Sequence, residues 1–323
     1  LQLGGIVGNH QNSGTGAEIR SCENKGAVVY EGNSVEAAGS TFRIGGIAAY
    51  SQGSITDCIN RGNITIGGNL NLHQAAKEDF KTGYHTVGGI VGYKTESRIY
   101  SVENYGTITL SGNMTSVAVS KEKVVASQMN VGGIAGYSAQ YLLTSEKNTT
   151  SVSKGKIVVS SNTTLCNLCI GGLIGHVYNN PAGVIQESKA NIEISGTHTG
   201  ELYVGGVISA IAKRSDNLVY NGSITITKDA NISGKSYIGG CIAYVKDANL
   251  TNCTNNGAIT FEGTATDGIY MGGVVVTVDG NATNLTNNGN LSITGNVSTY
   301  VIGGVSSGTV SGTASGCGNL GNI

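Results

Sequence analysis

Tryptophan is absent from the 323 residues, proline occurs once, phenylalanine three times, and charged side chains make up only 12%. Such a composition, with 51 glycines, suits a disordered linker, but regularly spaced Ile, Val and Leu and a 39% hydrophobic content exclude that reading. Charge of either sign is scarce: 19 basic against 20 acidic side chains leave a net charge of −1. Neither an electrostatic footprint for nucleic acid nor a polybasic patch for an anionic membrane is present. No apolar run reaches the roughly 18 residues of a spanning helix, and no charged and then apolar leader opens the chain. Direct membrane insertion is therefore not expected.

Metal-binding and catalytic patterns are also missing. One Cys-x-x-Cys pair, Cys166 and Cys169, has no second pair and no nearby His to complete a zinc site. Calcium-binding Gly-Gly-x-Gly-x-Asp repeats do not occur. The five His residues sit near no Ser, Cys or Asp in a triad pattern. No metal, no cofactor and no catalytic residue is expected.

What is present is a repeat. A double glycine recurs nine times, from Gly4-Gly5 and Gly45-Gly46 to Gly303-Gly304, at steps of 41, 43, 44, 39, 34, 34, 33 and 31 residues. The residue before it is always apolar (Leu3, Ile44, Val87, Val131, Ile170, Val204, Ile238, Met271, Ile302), and so is the residue after it (Ile6, Ile47, Ile90, Ile134, Leu173, Val207, Cys241, Val274, Val305). Both columns must face a core although they stand three apart, so the glycine pair is read as a bend, with φ > 0 and close backbone approach as the reasons for glycine.

A second block, "ITDCINRGNI" at residues 55 to 64 and its sisters, again sets apolar residues three apart, as in Ile19 and Cys22 or Ile55 and Cys58. It reads as a second corner. Asn24, Asn60, Asn104, Asn255, Asn287 and Asn319 then stack rung over rung, each amide bonding to the next at about 4.8 Å. A third block such as "ITI" or "ITF" is β-branched and aromatic and reads as a strand.

The fold expected is all-β: one continuous parallel β-helix, or β-solenoid, over residues 1–323. It has about nine rungs of three short strands, right-handed by analogy with parallel crossovers. Insertions near 69–86 and 111–130 carry a concentrated share of the charge and should protrude. Both ends fall inside a repeat, so the chain is expected to be part of a longer protein. Flanking solenoid repeats, or neighbouring subunits, would then continue it end to end.

The pattern Gly-Gly-Ile-x-Gly-Tyr followed by Ile-x-x-Cys-x-Asn-x-Gly-x-Ile resembles the GLUG-type repeats of large bacterial surface proteins, with related arrays in some protists. The best matches are "VGGIVGY" (87 to 93), "VGGIAGY" (131 to 137) and the block from Ile55 to Ile64; Ser209, Ala243, Val276 and Ser307 replace the second motif glycine in later copies. The resemblance spans essentially the whole chain. It implies an extracellular, cell-surface, adhesin-like or scaffold role and supplies no catalytic residues.

Tyrosine is the best candidate for recognition. Tyr50, Tyr93 and Tyr137 fall five residues after the first motif glycine, and Tyr203, Tyr237 and Tyr270 two residues before it. Facing outward, such columns form a platform for a glycan or a cell-surface protein; facing inward, they pack under a loop. The seven cysteines are read as free, mostly buried thiols, with Cys166–Cys169 the alternative disulfide. Twelve Asn-x-Ser/Thr sequons occur, at Asn63, Asn113, Asn148, Asn162, Asn221, Asn231, Asn249, Asn252, Asn281, Asn284, Asn290 and Asn296; in a eukaryote they would make an exposed glycoprotein.

Two further readings stay open. A carbohydrate-active enzyme on a β-helix requires acids converging in one groove, whereas Asp57, Asp79, Asp216, Asp229, Asp247, Asp267 and Asp279 occupy different repeat phases. An extracellular filament subunit requires ends that stack head to tail.

Overall fold

A computed structural model describes residues 1–11, 17–33, 41–73, 85–95, 97–117, 126–139, 151–177, 186–211 and 215–323. Every regular element among them is a β-strand, and the strands of each rung pair in parallel with the equivalent strands of the next. The first sheet has nine strands, one per double glycine, running in chain order from Gln2–Gly4 to Tyr300–Gly303. Its register is set by the motif: Ile44 pairs with Leu3 and Val87, and Gly45 with Gly4 and Gly88. At about 4.8 Å per step the nine rungs make a rod on the order of 40 Å long.

Every turn but the last carries more strands than the three expected. The second rung contains Arg43–Gly45, Ala48–Ser51, Ser54–Thr56, Ile59–Asn60, Ile64–Ile66 and Leu70–His73. Short strands separated by two or three residues are how the chain turns several corners while keeping its ladder. The last of these strands also corrects the expected extent of the insertions. Residues 70–73 and 114–117 do not protrude but stack on one another in register, Leu70 on Met114 and Leu72 on Ser116. The charged parts of those insertions, 74–84 and 118–125, lie outside the described residues.

The core is one cluster running along the axis. Ile44, Val87, Val131, Ile170, Val204, Ile238 and Met271 are completely buried, as are Ile47, Ile90, Ile134, Leu173, Val207, Cys241 and Val274. Both columns flanking the glycine pair thus face inward.

Positive φ is not the reason for glycine there: the only glycines in the left-handed region among the described residues are Gly196, Gly268 and Gly316. Space is the reason. A Cβ on Gly45 would come within 2.7 Å of the Ala48 carbonyl carbon and 2.9 Å of the Gly92 nitrogen, and one on Gly46 within 2.6 Å of Asn60 Nδ2. Left-handed backbone appears instead at the second corner, at Ser21, Asp57, Ser101, Asn217, Asn252 and Asn284 (φ 53 to 56°) and at Gly316 (φ 62°). One such residue between two apolar positions, as Asp57 between Ile55 and Cys58 or Asn284 between Ala282 and Leu285, turns the strand so that both apolar neighbours face the core. The polar residues at this slot are small ones that tolerate this region or bond locally within it.

Gly46→Ala should therefore lower stability by about 1–3 kcal/mol through overpacking. Gly67→Ala, whose added Cβ meets nothing nearer than 3.7 Å, should stay within about 0.5 kcal/mol of the native chain. Urea midpoints of the two variants measured side by side check this.

Candidate functional site: an aromatic crease between two sheets

The strand after each double glycine folds back against the outside of the first sheet. A Cβ on Gly92 would lie 2.8 Å from the Ile44 carbonyl oxygen, and one on Gly136 2.7 Å from the Val87 nitrogen and 2.9 Å from Thr86 Cβ. This approach makes a crease along the rod. One wall is the first-sheet column Arg43, Thr86, Asn130, Cys169, Tyr203, Tyr237, Tyr270; the other is Tyr50, Tyr93, Tyr137, His176, Ala210, Tyr244, Thr277.

The two tyrosine columns expected to act alike have different environments. Tyr50, Tyr93, Tyr137 and His176 form a stack with centroid separations of 5.9, 4.8 and 5.6 Å. The three tyrosines are only 8%, 4% and 1% exposed, with Ala139 packed on them. They are therefore an internal filling of the crease, not an outward platform. Tyr203, Tyr237 and Tyr270 also stack, at 4.9 and 5.3 Å with planes 12° and 11° apart, but remain half-buried.

The Tyr203 hydroxyl donates to Glu201 (2.8 Å), and that of Tyr244, across the crease, donates to Asp279 (2.9 Å). Burial and these carboxylates push the phenols up, that of Tyr244 to about 12. Because each ring face is covered by the next ring, this ladder offers ring edges and hydroxyls. Flat stacking of a sugar on a ring face is not what it presents.

The asparagines form two ladders. Asn24 Nδ2 donates to Asn60 Oδ1 (2.9 Å) and Asn60 Nδ2 to Asn104 Oδ1 (2.8 Å); likewise Asn255 donates to Asn287 (2.8 Å) and Asn287 to Asn319 (2.7 Å). Each Nδ2 also donates to the carbonyl of the Gly two residues on. The same amide closes its own turn and ties adjacent rungs together. Asn104 and Asn255 do not meet, because Ser153, Ser188 and Tyr220 take the intervening positions.

Acids and thiols are dispersed. Glu23 pairs with Lys25 (3.1 Å) and Arg61 (2.7 Å), Glu103 with Lys154 (3.2 Å), Glu187 with Lys189 (3.1 Å) and Glu193 with Lys156 (2.6 Å). Among the described residues no three His, Cys, Asp or Glu side chains gather as a metal site would require. All seven cysteines are free. Cys166 lies in the core and Cys169 on the crease wall, since an odd separation within a strand puts them on opposite faces, so the alternative disulfide does not form. Burial pushes the thiols of Cys58 to about 11 and of Cys166, Cys169 and Cys253 to about 12, which leaves them unreactive. Cys22 and Cys317 depart from the buried reading, being half-buried and exposed.

Eleven of the twelve sequon asparagines lie in the described residues, and all eleven are exposed. Several brace the next rung: the Thr107 N–H donates to Asn63 Oδ1, that of Thr197 to Asn162 and that of Thr313 to Asn281. No helix among the described residues is long and apolar enough to cross a membrane. No protein-family model, curated protein or solved structure matches the chain.

Asn104→Ala leaves Asn60 Nδ2 with one acceptor fewer and the Gly106 N–H without its Asn104 acceptor. The expected loss is about 1–3 kcal/mol, measured as a shift in urea midpoint.

Burial holds the His176 imidazole down at about 4, against 6.5 in the unfolded chain. Between those values the unfolded state binds the extra proton, so stability present above about pH 6.5 is lost as pH falls toward 4. His10 and His198 are lowered in the same direction, also by burial. His176→Gln should flatten part of this acid limb in thermal melts recorded from pH 7 to 4.

Proposed function

We propose that this chain is a non-enzymatic, extracellular structural and adhesive segment: a rigid β-solenoid spacer of the GLUG type, belonging to a cell-surface protein. The observation that carries this reading is the nine-stranded first sheet and the single core that run the length of the rod, reinforced over shorter stretches by two asparagine ladders and two aromatic ladders. Such a structure is designed for reach and resistance to local opening, because each rung is held on both sides by hydrogen bonds at every strand. Several surface glutamates paired with lysine or arginine rather than gathered in one groove, and buried thiols held in the neutral form, support a role without chemistry. The exposed sequons and the low-charge Ser/Thr/Asn surface suit an extracellular setting.

Adhesion is assigned to the open half of the crease, where Tyr203, Tyr237, Tyr270 and Tyr244 present edges and hydroxyls beside Glu201 and Asp279. A glycan would be met here by hydrogen bonds to its hydroxyls and by ring edges, a geometry that a protein loop can also use.

Screening the purified chain against a broad glycan array and cell-surface protein extracts tests this, alongside a Tyr237→Ala/Tyr270→Ala variant checked for folding. Saturable binding that weakens at least tenfold in the variant is the expected result. Binding indifferent to the variant removes the crease from the reading, and no binding by the native chain removes adhesion altogether.

A further inference from the structure

Arg43 stands on the first-sheet wall of the crease, in register with Gln2 and Thr86. Its guanidinium carbon lies 4.9 Å from the Tyr50 ring centroid and 4.3 Å from that of Tyr93. The side chain is largely buried but keeps part of its surface exposed. Its Nε is buried without a hydrogen-bond acceptor among the described residues. Among the described residues the influences on its charge are burial, which lowers its pKa, and the Tyr93 and Tyr50 phenols, with no carboxylate among them.

The next residue in the column has the same deficit. Thr86 is completely buried and its Oγ1 has no partner among the described residues. Two neighbouring donors, one of them a cation, thus lie beside a tyrosine wall and lack an acceptor among the described residues.

A desolvated guanidinium without a counter-charge is costly, and its contact with two ring faces recovers only part of that cost. Elsewhere on this rod Arg20 and Arg61 are paired with Glu18 and Glu23. A two-oxygen anion matches the parallel N–H groups of a guanidinium and could take the Thr86 hydroxyl as a further donor.

We propose that Arg43, with Thr86 beside it and Tyr50 and Tyr93 beneath it, is a binding site for an oxyanion of the carboxylate or sulfate class, free or carried on an acidic glycan. The proposal is independent of the adhesive reading, since it concerns the buried half of the crease and survives if Tyr237 and Tyr270 bind nothing.

The test uses the full chain, Arg43→Gln and Thr86→Val. Melting temperature and calorimetry are recorded with sodium sulfate, sodium acetate and a sulfated, uronate-containing oligosaccharide, against sodium chloride at matched ionic strength. Without added oxyanion Arg43→Gln should melt above the native chain, because it removes an uncompensated buried charge. Saturating sulfate should raise the native melting temperature and reverse that order. The variant serves as the control for the general stabilising effect of sulfate. Thr86→Val should weaken sulfate binding about threefold or more, and this comparison decides the matter if Arg43→Gln does not fold.

An oligosaccharide that binds at least tenfold more tightly than sulfate or acetate identifies the glycan as the source, whereas equal affinities identify the free anion. The proposal is overturned by equal sulfate shifts in native and Arg43→Gln chains, by no saturable binding to the native chain, or by an Arg43→Gln chain that melts lower with and without anion, the mark of a packing role.

Discussion

Everything in this rod follows from in-register parallel stacking, which sets each residue about 4.8 Å above its counterpart in the next rung. A column must therefore tolerate its own repetition. Isoleucine on isoleucine, asparagine on asparagine and tyrosine on tyrosine do so, since each gains contact or hydrogen bonds from a copy of itself. Identical charges do not: at that spacing two like charges repel by about 1 kcal/mol even in water. The acids and bases on the surface are accordingly arranged as diagonal pairs, such as Glu23 with Arg61 and Glu103 with Lys154. The scarcity of charge in the chain is a consequence of its geometry.

Close approach is the second constraint, and it explains where glycine is spent. The double glycine lets a strand fold back on the outside of its predecessor, and the crease so formed has room for little more than one large ring per rung. In most rungs the ring on one wall faces a smaller residue on the other: Tyr93 stands with Thr86, Tyr203 with Ala210, and Tyr270 with Thr277, the pairs Arg43 with Tyr50 and Tyr237 with Tyr244 being the exceptions. The aromatic column changes walls near Cys169 and His176. That change separates a buried ladder, over which Arg43 lies partly exposed, from a half-open one edged with carboxylates.

Much of this was legible beforehand because a solenoid writes its tertiary structure as a local period. The double glycine and its apolar neighbours named the core columns, and the Asn-x-Gly motif named a ladder whose bonding depends only on the residue one rung away. The left-handed corner was also written, as Ser, Asp, Asn or Gly between Ile and Cys, but it carried no signal distinguishable from an ordinary polar turn. The two tyrosine columns looked alike because alternation assigns a side chain to the outside of its own strand and says nothing of what another sheet brings against it.

Period, residue class and spacing by themselves determined the parallel β-helix, its nine rungs and the identity of its core and amide columns, because those depend on neighbours that repeat. The tertiary structure alone decided which outward face becomes inward. Tyr50, Tyr93 and Tyr137 are buried, Tyr203, Tyr237 and Tyr270 are half-buried, and Arg43 sits over two rings with no carboxylate partner among the described residues. These outcomes rest on the angle between sheets, which is set by backbone clearance at the glycines and is not encoded in any single repeat.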